Sequence, residues 1–439
     1  MSKKPAKKRS ASASGEGYRK LQSYKGVNEY RLDNGLSVLY CRIKDTGVVT
    51  SNLTYRVGAR DEMPGETGLA HMLEHMLFKP TKGDLKRKID SGAMQFERET
   101  GCILNANTWK DRTTYYFSYP REHFSRALAI EAERMHDVII EDTQFRPEQG
   151  NVLSEFDMYF GDPYFAMSVE SIGAAFHSHP YGHETIGFRE DIEAITPERL
   201  DAFYKRYYDP HNATLIIAGD VSEKEMLREV CAHFGKLQTR GEMPPRSRII
   251  EPKQEGLRRF EIARPSRLQI LSLDVKHGGF PGKDWYITSL LAGVLTSGED
   301  SILHKELVDT GLASNVSMSV DPSSEQDLSM LFITLSEKTT HEKMEKRVLE
   351  IIRTLDVKRI AKEYKKTQAQ VIAGEVMEKE SSLNIALGLT EFVSAGSWKT
   401  FFDTETMLAS ITAKDIAAKA KELFTEKNMV IGYFKGTTK

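Results

Sequence analysis

A chain of 439 residues with 40% hydrophobic and 28% charged side chains has the balance of a folded globular protein. That balance, with only Cys41, Cys102 and Cys231, excludes a disordered chain, a collagen and a disulfide scaffold. The net charge of -2 hides an asymmetry, because residues 1–20 carry seven basic side chains against one acidic and the remainder is acidic. The start is rich in Lys without the apolar core of a secretion signal, and reads as a basic disordered tail over 1–24. No apolar run approaches the roughly 20 residues of a membrane span. An odd, sparse set of cysteines fits a reducing compartment. The expectation is a cytoplasmic protein, or alternatively one of an organelle matrix, without membrane or nucleic-acid partners.

In chain order, Tyr30–Leu32, Asn34–Gly35 and Leu36–Tyr40 predict strand, tight turn and strand, since Asn-Gly supplies the positive φ that such turns need. A strand over Val48–Val57 follows, then a break at Pro64–Gly68 and a helix over Leu69–Phe78. Strands are expected near Gln95–Arg98, at Ile103–Thr108 and at Thr113–Tyr119. Helices are expected from Arg121 to Ile139, from Pro147 onward, and over Pro197–Tyr207, with a strand at Thr214–Ile217. Residues 237–257 hold Pro244, Pro245 and Pro252 among mixed charges and read as a linker. Beyond it, strands at Leu268–Asp274, Leu328–Leu335 and Met429–Phe434 and a helix at Tyr286–Leu295 repeat the order of the first half. The predicted fold class is therefore α+β, with domains at 25–236 and 258–439, each a largely antiparallel mixed sheet covered by helices.

The chemistry concentrates in His71-Met72-Leu73-Glu74-His75. On a helix His71 and His75 lie about 40° apart, one turn from each other, and Glu74 lies about 60° to the other side of His71. Two imidazoles at i and i+4 close on one zinc ion, and the carboxylate beside them reaches a water at the metal. This is the inverted zincin pattern, H-x-x-E-H. Leu69, Leu73, Met76 and Leu77 supply an apolar face. A third ligand is required, and the helix carrying Glu148 and Glu155 is a source, because seven residues return to the same face within about 20°. Spacing alone leaves Glu131, Glu133 and Glu141 open as well. His177, His179 and His183 form a rival cluster, but Pro180 and Gly182 predict a turn without defined ligand geometry.

These segments resemble the pitrilysin/insulinase family of inverzincins, in particular its half-length branch. The resemblance rests on His71–His75, on Asn105-Ala106-Asn107-Thr108 before Thr113-Thr114-Tyr115, on Val152–Glu155 before Asp162-Pro163, and on His179-Pro180-Tyr181-Gly182, Gly187, Tyr207, Asn212 and Gly219-Asp220. It implies two related α+β domains forming half of a clamshell, and a zinc-dependent endopeptidase with one Zn2+ per chain. It implies His71, His75 and Glu155 as ligands, Glu74 as general base and Glu148 as a supporting carboxylate. It also implies that Asn105, Ala106 and Asn107 hold extended peptide substrate along a strand edge.

The second half departs from that pattern. Many relatives carry an Arg and, seven residues later, a Tyr ahead of a Gly-Leu-Ala-Tyr segment; the matching run here is Leu307-Val308-Asp309-Thr310-Gly311-Leu312-Ala313-Ser314, with neither. The expectation is a C-terminal domain without a zinc site and a partner subunit, a zinc-less homologue or a second copy, completing substrate binding. The alternative implied by the same resemblance is a non-catalytic core subunit of this fold.

Overall fold

The computed structural model describes residues 17–242, 246 and 249–437. In the first half, strands β1 (Tyr18–Tyr24), β2 (Val27–Leu32), β3 (Ser37–Arg42), β4 (Val48–Tyr55), β5 (Ile103–Thr108), β6 (Thr113–Pro120) and β7 (Ala213–Gly219) form one sheet. Its order is β1-β2-β3-β7-β4-β6-β5, antiparallel except for the β3/β7 pair. The helices are α1 (Leu69–Met76), α2 (Lys82–Arg87), α3 (Gly92–Thr100), α4 (Phe124–His136), α5 (Asp142–Phe160), α6 (Pro163–Ala175), α7 (Arg189–Ala194), α8 (Pro197–Tyr207) and α9 (Glu223–Phe234).

The second half contains β8 (Arg258–Pro265), β9 (Gln269–His277), β10 (Ala313–Ser319), β11 (Asp327–Leu335) and β12 (Met429–Thr437), in the order β10-β11-β9-β12-β8. Only β12/β8 is parallel. Its helices are α10 (Lys283–Thr296), α11 (His341–Arg353), α12 (Val357–Met377), α13 (Ser382–Ser394), α14 (Thr404–Ser410) and α15 (Ala413–Leu423). Read from its β5 edge, the first sheet runs β5-β6-β4-β7-β3, which matches the second sheet strand for strand, the parallel pair included. The halves are thus a structural repeat, to which the first adds β1 and β2.

The repeat is packed reciprocally. One face of the first sheet closes on its own helices, with Leu53, Tyr55, Leu73, Phe117, Val152 and Leu215 in a single core. Its other face is covered by α13 from the second half, through Leu39, Ile216 and Ala218 against Ile385, Leu389 and Phe392. Conversely α6 of the first half covers the second sheet, Ile172 and Phe176 meeting Leu328, Met330 and Val430. Each sheet therefore lies between its own helices and one borrowed helix, and the halves do not separate without exposing both cores.

Several expectations are corrected. Residues Gln95–Arg98 are helical, within α3, because the Ser91 side chain accepts from Met94 N at its start and Gly101, at φ 65°, ends it. Its buried Ala93 and Phe96 follow helical spacing. Residues 18–24 of the supposed tail are strand β1, joined to β2 by a two-residue turn with positive φ at Lys25 and Gly26. The rest of the tail, 1–16, lies outside the described residues. Helix α5 starts at Asp142, so Pro147 sits inside it and costs one backbone bond rather than marking the start. Strand β10 was not foreseen, since its polar run Ser314, Asn315, Ser317 and Ser319 hides the alternation. Among the described residues no helix is long and apolar enough to cross a membrane.

Candidate metal centre

Helix α1 presents the motif. Leu69, Ala70, Met72, Leu73 and Met76 are buried, which turns His71, Glu74 and His75 toward the remaining face. The helix start is held firmly: the Glu62 carboxylate accepts from Gly68 N at 2.9 Å and from Ala70 N at 2.8 Å. Gly68 adopts φ 90° and faces Gly187 at φ 85°, where a Cβ on Gly187 would sit 2.5 Å from the Gly68 nitrogen. Only glycine permits that approach.

Helix α5 packs beside α1 and brings Glu155 to both imidazoles. Glu155 Oε2 lies 3.4 Å from His75 Nε2 and 3.8 Å from His71 Nε2. Ligand atoms of His71, His75 and Glu155 all lie within 4.8 Å of one another, the one such cluster of His, Cys, Asp or Glu among the described residues. Four ligands held tetrahedrally at ~2.1 Å stand about 3.4 Å apart, so the set fits zinc by spacing and by chemistry. Burial, aided by His75, pushes the His71 pKa down to about 4, against the pull of Glu155, which keeps that ring neutral as a ligand must be. For His75 burial opposes the charged form, but Glu155, Glu74 and Glu148 outweigh it and hold its pKa above the ordinary value. The bond to His75 holds the Glu155 carboxyl below the usual range.

Glu74 is not part of this trio but interacts electrostatically with His75 and Glu155, and it accepts a hydrogen bond from Thr108 Oγ1 at 2.5 Å. Burial raises its pKa above the usual carboxylate range, although Thr108 works the other way. Glu148 does not join the donor cluster. It approaches the other ring nitrogen of His75, Nδ1, at 3.4 Å, while Lys79 and Asn151 bind its second oxygen. Burial acts against its charge, yet Lys79 keeps it below the ordinary range. A carboxylate on the far nitrogen of an imidazole fixes tautomer and ring orientation. By contrast His71 Nδ1 is buried without a hydrogen-bond partner among the described residues. Two of the open candidates resolve elsewhere: Glu131 pairs with Arg134, and Glu133 with Arg87 and Thr81.

Strand β5 is the edge of its sheet and runs past α1. Asn105 is exposed and its side-chain oxygen accepts from Ala106 N, whereas Ala106 is buried. The Asn107 side-chain oxygen is taken up by Arg112. Thr108, Lys79 and Arg112 were missed as site residues. Lys79 stands one helical turn after His75 and was findable by spacing, whereas Thr108 and Arg112 needed the strand register. The rival histidines do not converge: His179 pairs with Glu325 at 2.9 Å, and His183 contacts the Glu184 carbonyl at 3.0 Å.

Two imidazoles and a carboxylate around one point, with a second carboxylate and a strand edge alongside, are the arrangement of a metallopeptidase-type centre. The description "Insulinase (Peptidase family M16)" matches residues 38–187, and "Peptidase M16 inactive domain" matches residues 194–370. The zinc protease PqqE of Helicobacter pylori is 27% identical over 422 residues, covering 94% of each chain. An uncharacterised zinc protease of Rickettsia bellii is 28% identical over 421 residues, 92% of this chain and 97% of its own. The crystal structure of a protease from Helicobacter pylori superposes with a TM-score of 0.86 at 25% identity, over 93% of this chain and 99% of that one. The chain belongs to the insulinase family of peptidases, family M16.

Proposed function

We propose that the chain is a zinc-dependent endopeptidase acting on extended peptides. The convergence of His71, His75 and Glu155 within 4.8 Å beside an unliganded carboxylate, Glu74, carries this reading. His71, His75 and Glu155 would hold the ion, and a bound zinc ion supplies Lewis acidity at the scissile carbonyl. Glu74, made more basic by burial, takes a proton from the attacking water and returns it to the leaving amine. Thr108 holds Glu74 in place, and Glu148 orients His75. The β5 edge binds the peptide main chain, which favours unfolded segments over folded proteins. A zinc-less homologous partner or a second copy of this chain completes the substrate site, since the second half lacks the Arg and Tyr of its relatives.

The test is Glu74→Gln. Zinc content should stay at one per chain while turnover of a mixed peptide library falls by about 10²–10⁴-fold, the range for a positioned base. Substantial residual peptidase activity would overturn the assignment of Glu74. Efficient cleavage by the purified monomer would overturn the need for a partner.

A further inference from the structure

The turn joining β5 to β6, Trp109-Lys110-Asp111-Arg112, carries three charged side chains, and each is buried against the second half. Lys110 Nζ lies 2.7 Å from both oxygens of Asp327, at the start of β11, which is wholly buried. Asp111 accepts from Ser324 N at 2.8 Å, in the β10–β11 loop. It also accepts from Arg60, which in turn reaches Glu325 at 2.8 Å. Arg112 has a side-chain exposure of only 6% and binds Glu391 of α13 through Nε at 2.9 Å and through Nη2. Its Nη1 holds the side-chain oxygen of Asn107 in β5. In the repeat, β5–β6 and β10–β11 are equivalent hairpins, so the two related turns meet across the junction of the halves.

We infer that Glu391 is a positioning residue for the peptide-binding edge: through Arg112 and Asn107 it sets the end of β5, and with it Thr108, against Glu74. The second half then serves the metal centre by ordering the strand on which substrate is laid. Burial makes the link stiff, because a charged group left without its partner in such surroundings is strongly disfavoured. The chain Glu391–Arg112–Asn107 connects α13 to the strand, and Thr108 is the next residue along. Lys110 and Asp111 anchor the same turn through Asp327, Arg60 and Ser324 rather than through β5, which makes Glu391 the informative position.

The kinetic part of this inference rests on the peptidase reading; the structural part does not. The experiment uses the full chain with Glu391→Ala, and Glu391→Gln as the variant that keeps an acceptor for Arg112. Backbone hydrogen exchange over residues 103–108 should accelerate about tenfold or more in Glu391→Ala, with a smaller change in Glu391→Gln. KM for extended peptides should rise about tenfold with kcat within about threefold of wild type, the signature of lost binding rather than lost chemistry. Zinc content should be unchanged. Unaltered exchange in β5, or a fall in activity that only tracks the folded fraction, overturns the inference. If β5 loosens as expected but the wild-type protein cleaves nothing, the coupling stands and the peptidase reading falls. If the wild type cleaves and β5 is unmoved, the reverse holds.

Discussion

Asp274, in the middle of β9, offers a measurable consequence of the reciprocal packing. Its side chain is fully buried on the face that α6 covers, accepting a hydrogen bond from Ser171, near Ile172, Met330 and Val430. Burial pushes its pKa up from 3.8 to about 7, despite the opposing bonds from Ser171 and Ser272. The folded value lies above the unfolded one, so the group's contribution to stability is full below about pH 4 and declines as pH rises. It is lost above about pH 7. A rise from 3.8 to about 7, at ~1.36 kcal/mol per pH unit, corresponds to about 4 kcal/mol of stability over that window. The substitution Asp274→Asn retains the shape and an acceptor for Ser171 but cannot ionise. Urea unfolding of both proteins from about pH 4 to about pH 8 isolates this contribution as the difference between their curves. The variant should gain about 4 kcal/mol relative to wild type on going from the acid to the alkaline end. Curves that stay parallel within about 1 kcal/mol would refute the reasoning, because Asp274 would then titrate as though exposed.

Further outcomes follow from the centre itself. Glu148→Gln should weaken zinc binding by about 10–100-fold, as loss of an imidazole's outer partner does, whereas His75→Ala should abolish it; competition with a chelator reads both. Gly187→Ala forces a Cβ against the Gly68 nitrogen at positive φ, and should cost about 3 kcal/mol or more in thermal or urea unfolding. It should also lower zinc affinity, since Gly68 starts the helix that carries His71. Wild-type zinc affinity in that variant would show that the close approach does not position α1.

The strand-for-strand match of the two sheets gives the missing chemistry of the second half a structural setting. Helix α10 stands where α1 stands in the repeat, but its sequence, Lys283–Thr296, carries no histidine. One half thus holds the His71, His75 and Glu155 cluster, and the other holds the β10–β11 turn and α13, which pair with the charged turn at the end of β5.

Local pattern determined much of this protein. The H-x-x-E-H spacing put two imidazoles on one helical face, the Asn34-Gly35 turn set the β2–β3 hairpin, and the Pro197 helix ran to Tyr207 as its capping and periodicity require. These depend on contacts a few residues apart, which composition and spacing encode directly. The choice of Glu155 among several glutamates was not local. It was made by α5 packing on α1, which leaves Glu131 and Glu133 to arginine partners. Strand β4 shows the same limit. Thr50, Asn52 and Thr54 share one face, opposite Val49, Leu53 and Tyr55, as though they faced water, yet all are buried. Asn52 instead donates to the Ala386 carbonyl at 3.3 Å and to Thr390 at 3.1 Å, and Thr50 meets Ser382 at 3.0 Å. A polar side chain in sequence has no sign distinguishing solvent from a satisfied partner more than 300 residues away. That distinction, and the burial of the turn charges beside β5, exist only once the two halves exchange their covering helices.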